Sequence, residues 1–320
     1  MGGRDYPRTL PEFNRFFADE RACEEYLENL RWSEGFVCPA CDYHGGWRTR
    51  RSLWVCEACQ RQTSLTAGTI FAGTRTPLRS WFAAIWQLVG QKQGMSAMGF
   101  KEVMGLGSYE TAWAHLHKLR RAMVRPGRDL LRGPVELDET TVGGHEAGMH
   151  GKRTRKNSPV IVAVEVRGPG GSERAGRLRM SRLGAVTKRT VSDFAIEAIE
   201  PGAAIRTDGW PHYSILSEHD FELDQVILVD SEQPASAHLP HVHRVIALLK
   251  RWLLGTHQGS VSARQLDYYL DEFVFRFNRR HSRHRGLLFY RLLEEAVRTE
   301  PIPLKRIVGG TGGRRGTGRA

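Results

Sequence analysis

Two aspartates have equivalent surroundings in the sequence, each at the end of a short apolar, β-branched stretch that leads into glycine. Asp138 lies in VELDETTVGG and Asp208 lies in AIRTDGW. A carboxylate at the end of a buried strand is costly unless a cation meets it. Two such carboxylates could hold Mg²⁺ or Mn²⁺, which take oxygen ligands, against a phosphodiester that undergoes in-line displacement. They could instead cap helices or pair with loop arginines.

The cysteines indicate a second kind of metal site. Four of the five form two CxxC pairs, and each such turn aims two thiolates inward, so that two turns close a tetrahedral zinc site. We predict a zinc ribbon over residues 32–68, with a structural zinc because the protein supplies all four ligands. Disulfides or a redox pair are the alternative, which is less typical of an intracellular chain. The predicted zinc ligands are Cys38, Cys41, Cys56 and Cys59.

Apolar side chains at helical spacing predict an N-terminal helical segment over residues 1–31 and three helices over residues 76–126. The last two of these three helices are joined by a glycine-containing turn, and the second is basic, which is the layout of a helix-turn-helix. Its second helix would enter the major groove of double-stranded DNA. A helical linker with a solvated basic face is the alternative. The candidate DNA contacts are Tyr109, Thr111, His115 and Lys118, with Arg120 and Arg121 nearer the phosphates.

From residue 133 the pattern changes to alternating strands and helices, which predicts an α/β domain with a mixed sheet over residues 133–298. In it, His243 and Lys250 are seven residues apart on one predicted helix and therefore share a face. The strands are predicted at 135–142, 158–166, 176–186, 204–210 and 225–230, and the helices at 191–199, 241–257, 263–278 and 287–297. The loop 145–157 is expected to be mobile, and the Gly- and Arg-rich tail 299–320 to be disordered.

The charge favours a polyanionic partner. The 320 residues carry a formal net charge of +12, concentrated in a few basic clusters, which is typical of proteins that bind nucleic acid. Generic solubility charge is the alternative. The chain has no apolar run long enough for a membrane span and no apolar core of a signal peptide near its first residue. We therefore expect a cytoplasmic protein.

Several of these motifs occur together and in a fixed order: the four ribbon cysteines, then LDETTVGG, TDGW and HVHRVIALLKRWLLGTHQG. In this combination the chain resembles the DDE-class transposases of bacterial insertion sequences, in particular the branch with an N-terminal zinc ribbon and an Asp-Asp-His-Lys type of site. The resemblance extends from about residue 10 to residue 298. It implies a multidomain α/β protein with a zinc ribbon, a helix-turn-helix segment and an RNase H-like catalytic domain with a mixed sheet.

The resemblance also assigns roles to residues. It implies that Asp138 and Asp208 are the first two acids and that His243 occupies the third position, because this class places a basic residue, here Lys250, two helical turns later. The third position is usually a glutamate, so histidine departs from the commonest pattern. Imidazole can bind Mn²⁺ or act as a general base, and both roles stay open. Lys250 would approach a phosphate near the scissile bond.

Neighbouring residues are alternative candidates for the third position and for additional metal ligands. His241 or His238 could stand in the place assigned to His243. Glu136 and Glu139 flank Asp138, and of the two Glu139 is the predicted additional ligand.

By resemblance, the ribbon and helix-turn-helix would bind the terminal inverted repeats of the element. The catalytic domain, with Mg²⁺ or Mn²⁺, would hydrolyse one phosphodiester and join the freed 3′-hydroxyl to target DNA. Pairing of two element ends implies a homodimer or a higher oligomer, which would associate with the nucleoid when acting. The alternatives are a catalytically inactive DNA-binding protein and an RNase H-like nuclease that cuts without strand transfer.

Overall fold

The computed structural model describes residues 5–125, 127–143, 157–226, 235–259 and 261–309. The chain divides into two compact units. The first contains residues 1–125 and 282–308, and the second contains residues 126–281 together with the chain end from residue 309. Most of the loop expected to be mobile (145–156) and the second part of the last predicted strand (227–230) lie outside the described residues.

The helices and strands follow the sequence pattern closely. The helices are α1 (Leu10–Phe16), α2 (Glu20–Arg31), α3 (Leu78–Gly90), α4 (Ala97–Val103), α5 (Tyr109–Ala122), α6 (Lys188–Ala198), α7 (Ala235–His238), α8 (Pro240–His257), α9 (Leu266–Asn278), α10 (Arg285–Arg298) and α11 (Leu304–Gly309), with a 3₁₀ helix over Pro211–Glu218. The strands are β1 (Gly46–Arg48), β2 (Leu53–Cys56), β3 (Gln62–Ser64), β4 (Val135–Val142), β5 (Ser158–Arg167), β6 (Arg174–Arg182), β7 (Ala204–Asp208) and β8 (Glu222–Val226).

An aromatic cluster forms the centre of the first unit. Phe289 of α10 lies 5.6 Å from Phe13 of α1 and 5.9 Å from Phe82 of α3, measured between ring centroids. Helix α10 is therefore a core element of this unit. The predicted boundaries of 133–298 for the catalytic domain thus run past the unit that contains the sheet. The sequence pattern gives the helix but not the partner on which its apolar face packs.

The chain end differs from expectation in part. Helix α11 buries Ile307 completely, and Ile302 before it is 6% exposed. Disorder of the whole tail 299–320 is therefore wrong for residues 304–309, because two buried isoleucines supply the apolar surface that holds this short helix. Residues 310–320 lie outside the described part of the chain.

Strands β1, β2 and β3 form a three-stranded antiparallel sheet in the first unit. Its core is very small and consists of Phe36 and two cysteines, with Trp32 and Trp54 packed against them. The rings of Phe36 and Trp54 stack with centroids 5.0 Å apart. So few buried side chains cannot hold a module of this length without a further cross-link.

The second unit is built on a five-stranded sheet in the order β6-β5-β4-β7-β8. Strands β4, β5 and β6 are antiparallel neighbours, whereas β7 is parallel to β4 and β8 is parallel to β7. The sheet is therefore mixed, as the sequence predicts, and helices cover both of its faces.

Side chains of β4 alternate between the two faces. Val135 and Leu137 belong to the core cluster that contains residues of α6 and the 3₁₀ helix. Asp138 is paired with Val162, which belongs to the opposite cluster with residues of α8 and α9. Because directly paired residues of adjacent strands point to the same face, Glu136 and Asp138 point towards α8.

Candidate functional site

The two predicted acids lie on adjacent parallel strands, β4 and β7. Their register pairs Val135 with Ile205 and Glu136 with Arg206. Continued by two residues, this register places Asp138 beside Asp208 on the α8 side of the sheet. Neighbouring strands are separated by about 4.8 Å, so the sheet itself brings two carboxylates together that are far apart in sequence.

Backbone hydrogen bonds orient both carboxylates. The amide N–H of Glu139 donates to Oδ1 of Asp138 at 2.8 Å, and the N–H of Trp210 donates to Oδ1 of Asp208 at 3.1 Å. Asp138 is 8% exposed and Asp208 is half-buried. Each carboxylate thus accepts a hydrogen bond from a backbone N–H one or two residues further along the chain.

Helix α8 supplies the third group. Nε2 of His243 lies 3.8 Å from Oδ2 of Asp138. Burial lowers the pKa of His243, while the negative charge of Asp208 opposes this shift. The structure therefore brings together the three residues that the resemblance assigns, and a neutral imidazole there has a nitrogen available as a ligand or a base.

Lys250 lies two turns further along α8 and is exposed. Seven residues of helix correspond to about 10 Å along its axis. A lysine at that distance from the acids could contact the phosphate backbone of a bound strand.

The geometry distinguishes the three histidines that could occupy the third position of the site. Nε2 of His241 lies 4.0 Å from a carboxylate oxygen of Glu136 and 3.9 Å from one of Glu173, whereas His243 faces Asp138. His238 is the last residue of α7 and is half-buried.

Glu139 does not share a face with Asp138. It is paired with Ile161, which belongs to the cluster on the α6 side, and its Oε2 accepts a hydrogen bond from the hydroxyl of Tyr213 at 2.6 Å. The expectation that Glu139 is an additional ligand is therefore wrong. The regular alternation of β4 turns it to the other side of the sheet.

Glu136 is the functional candidate that the sequence pattern understated. It is 3% exposed, and its Oε2 accepts hydrogen bonds from the backbone N–H groups of His241, at 2.8 Å, and Val242, at 2.7 Å. The available sequence signal was the period of two that places Glu136 on the face of Asp138. The partners at the start of α8 could not be inferred from that signal.

The donors around Asp138 fit a hard divalent cation. Mg²⁺ is held by one or two carboxylates and keeps several waters. An imidazole nitrogen beside the carboxylates also suits Mn²⁺. In the described part of the chain, only the ribbon cysteines form a group of three or more potential ligand atoms that lie within 4.8 Å of one another. A cation between Asp138 and Asp208 would therefore rely on water and substrate oxygens to complete its coordination.

The four ribbon cysteines fit zinc directly. The Sγ atoms of Cys38 and Cys59 are 3.6 Å apart, and those of Cys41 and Cys56 are 3.7 Å apart. Tetrahedral zinc with Zn–S bonds of about 2.3 Å separates its sulfur ligands by about 3.8 Å. The N–H of Cys59 also donates to Sγ of Cys56 at 3.5 Å, which favours a bound thiolate. The cluster is suited to structural zinc.

The candidate DNA contacts on α5 fall into three groups. Tyr109 and Thr111 are exposed. His115 and Arg120 are only 7% and 1% exposed, and burial lowers the pKa of His115 to about 4. Those two side chains offer DNA little surface in this conformation.

The remaining two candidates are partly covered. Lys118 is half-buried, with Nζ 5.9 Å from the centroid of the Trp81 ring. Arg121 donates a hydrogen bond to the backbone carbonyl of Glu300 at 2.9 Å. Ser96 and Ser108 precede α4 and α5 as their N-caps, and their side chains accept hydrogen bonds from the N–H groups of Gly99 and Thr111.

Comparison with known proteins gives a family match in each unit. Residues 130–278 match the model of the ISXO2-like transposase domain, and residues 18–62 match that of the transposase zinc-ribbon domain. An uncharacterized protein in transposable element ISH50 of Halobacterium salinarum is 26% identical over 279 residues, which cover 81% of this chain and 91% of that protein. Among the residues that the structure describes, no helix is long and apolar enough to cross a membrane.

Proposed function

Because the chain carries the domains of an insertion-sequence transposase of the DDE class with an N-terminal zinc ribbon, we propose that it is the DNA transposase of such an element. It would bind the element ends and catalyse metal-dependent phosphodiester hydrolysis and strand transfer. The observation that supports this most directly is the alignment of Asp138 and Asp208 on neighbouring parallel strands, with His243 3.8 Å from Asp138.

Asp138 and Asp208 would hold Mg²⁺ or Mn²⁺, with His243 either as a further ligand or as the base that accepts the proton of the attacking hydroxyl. When bound, the cation stabilises the negative charge that develops on the attacking and leaving oxygens. Lys250 would bind a phosphate as a point charge. The buried, hydrogen-bonded setting of Asp138 suits such a role, because its orientation is fixed before substrate binds.

The chemistry consists of two displacements at phosphorus. In the first, water attacks the phosphodiester at an element end, loses its proton and displaces the 3′-oxygen, which leaves as a 3′-hydroxyl. In the second, this hydroxyl loses its proton and attacks a phosphodiester of target DNA, and the target's own 3′-oxygen leaves. Both steps need the same groups, so one site serves both.

The first unit would recognise the DNA. The net charge of +12 favours a phosphate-dominated interaction with double-stranded DNA. We propose α4 and α5 as a helix-turn-helix, with Gly105 in the connecting turn at a φ of 60°, and Tyr109 and Thr111 as its exposed contacts. Lys118 would be a further contact, and Arg121 would lie nearer the phosphates. The sheet order of the second unit supports an RNase H-like domain.

Joining two element ends requires two copies of the site. We therefore propose a homodimer or a higher oligomer on DNA, acting in the cytoplasm at the nucleoid. The histidine at the third position also keeps a second candidate function open, that of a DNA-binding protein with an inactive catalytic domain.

The decisive experiment is a cleavage and joining assay on oligonucleotides that carry the element end, with Mg²⁺ and with Mn²⁺. Asp138→Asn and Asp208→Asn are expected to lose both reactions while binding DNA as the parent does. Asp193→Asn is a matched control, since Asp193 lies exposed on α6 of the same unit, in an ion pair with Arg189.

The alternatives give different results in the same assay. Cleavage that persists in both aspartate variants would disprove the assigned site. A parent that binds the element end but cuts nothing would favour the inactive DNA-binding protein. Cleavage without joining would favour a nuclease.

A further inference from the structure

Helix α8, which carries His243, begins without a cap of its own. Its N-cap position is Leu239, which has no side-chain acceptor, and the next residue is Pro240. The first N–H groups of a helix have no partner within the helix, and leaving them buried and unpaired costs about 1–3 kcal/mol each. Another part of the chain must supply the acceptor.

Glu136 of β4 is that acceptor. Its Oε2 receives the N–H groups of His241 and Val242 at 2.8 and 2.7 Å, and both residues lie in the first turn of α8. A carboxylate at this end of a helix also interacts favourably with the helix dipole. The strand thus caps the helix across a distance of more than a hundred residues in sequence.

The same two elements meet a second time at the catalytic pair. Asp138 follows Glu136 by two residues and points to the same face. His243 follows His241 by two residues in the first turns of α8 and lies 3.8 Å from Asp138. The hydrogen bonds between Glu136 and the start of α8 therefore lie directly beside the contact between Asp138 and His243.

We propose that Glu136 is a positioning residue, which fixes the start of α8 on β4 and so keeps His243 opposite Asp138. The proposal rests on the proposed function for its catalytic consequence. Glu136 does not itself act on substrate, because Oε2 is engaged by two N–H groups and Oε1 faces the imidazole of His241 at 4.0 Å. Loss of this contact lets the first turn of α8 move relative to the acids.

The test uses the full chain with Glu136→Ala, which removes the acceptor, and Glu136→Gln, which keeps one acceptor oxygen without the charge. Glu165→Gln is the control, since Glu165 is similarly buried at 1% exposure on neighbouring β5 but accepts its hydrogen bonds from Arg132, Arg167 and Arg177 rather than from α8. Strand cleavage is measured under single-turnover conditions well below the melting temperature of every variant. Hydrogen exchange is followed in the peptide that contains residues 240–247.

Glu136→Ala is expected to lower the rate of cleavage at saturating DNA at least tenfold, with KM within twofold of the parent. Glu136→Gln should recover part of the rate, and Glu165→Gln should retain it. Exchange in residues 240–247 should rise at least tenfold more than in the rest of the unit in Glu136→Ala, and no more than in the rest of the unit in Glu165→Gln. If the cleavage rates of Glu136→Ala and Glu165→Gln fall in proportion to the decrease in their melting temperatures, Glu136 is only structural and the proposal is refuted.

A parent that does not cut DNA would refute the proposed function without deciding the role of Glu136. In that case hydrogen exchange alone decides it. Faster exchange confined to the first turns of α8 supports the positioning role, and exchange that is unchanged or rises throughout the unit overturns it.

Discussion

The buried carboxylate of Glu165 makes the stability of the second unit depend on pH in a way that can be calculated. Its side chain is 1% exposed and accepts hydrogen bonds from the backbone N–H groups of Arg132 and Arg177, at 3.0 and 3.1 Å, and from the side chains of Arg167 and Arg177. Burial alone would raise the pKa of Glu165, but these donors outweigh it and lower the pKa to about 2. The charged form is thus strongly favoured in the folded state.

The size of the effect follows from linkage. In the unfolded chain this carboxyl has its ordinary pKa of 4.5, and each tenfold difference in proton affinity corresponds to about 1.4 kcal/mol. The ionised Glu165 therefore contributes about 3 kcal/mol to the free energy of unfolding. Since the folded pKa is the lower one, this stabilisation is fully present above pH 4.5 and is lost as the pH falls towards 2.

The measurement compares Glu165→Gln with the parent by urea unfolding at several pH values, with hydrogen exchange in β5 and β6 as the local probe. The variant is expected to be about 3 kcal/mol less stable at pH 7, and the gap should narrow steadily below pH 4.5. Because β5 and β6 belong to the second unit, hydrogen exchange in these strands separates the effect of Glu165 from any loss of zinc by the ribbon at low pH. A gap of the same size at pH 7 and pH 3 would show that the network stabilises the fold without the charge and would refute this reasoning.

Three further changes test other parts of the chain. Cys38→Ser should lose the single zinc and unfold the ribbon, measured by metal analysis and circular dichroism, whereas Cys23→Ser should keep the metal. Glu20→Ala should destabilise the first unit by about 1–2 kcal/mol in thermal unfolding, because the Glu20 carboxylate accepts the first N–H groups of α3 at 2.6 and 3.0 Å. Lys250→Met should raise the KM for cleavage and reduce the slope of log affinity against log salt by about one, and an unchanged slope would contradict phosphate contact.

Local patterns predicted most of the secondary structure. The strand predicted at 135–142 has the observed bounds of β4 (Val135–Val142), because a buried strand between turn-forming residues is a strong local signal. The ribbon could also be predicted from local sequence, since CxxC spacing alone brings thiolates together. Asp208 is the last residue of β7, as predicted, whereas Asp138 lies in the middle of β4 rather than at its end.

Long-range partners could not be obtained from such patterns. Helix α10 was predicted correctly as a helix, but its packing against α1 and α3 depends on how the chain returns to the first unit. His115 and Arg120 are residue types common on a DNA-binding helix face, yet both are buried, because α5 packs against α4 and α10. A single helix pattern shows which residues share a face, but not what covers that face.

The geometry of strand β4 links the proposed catalytic role of this stretch to its structural role. Its even positions, Glu136 and Asp138, hold α8 and face His243, whereas Leu137 and Glu139 pack and bond on the α6 side. Because the side-chain period of a strand is two, a register slip of one residue would bury Asp138 among apolar side chains and turn Leu137 towards α8. The apolar residues between the acids thus select the register, and the register places the acids. Substitutions at Leu137 should therefore impair activity even though Leu137 lies on the face opposite the acids.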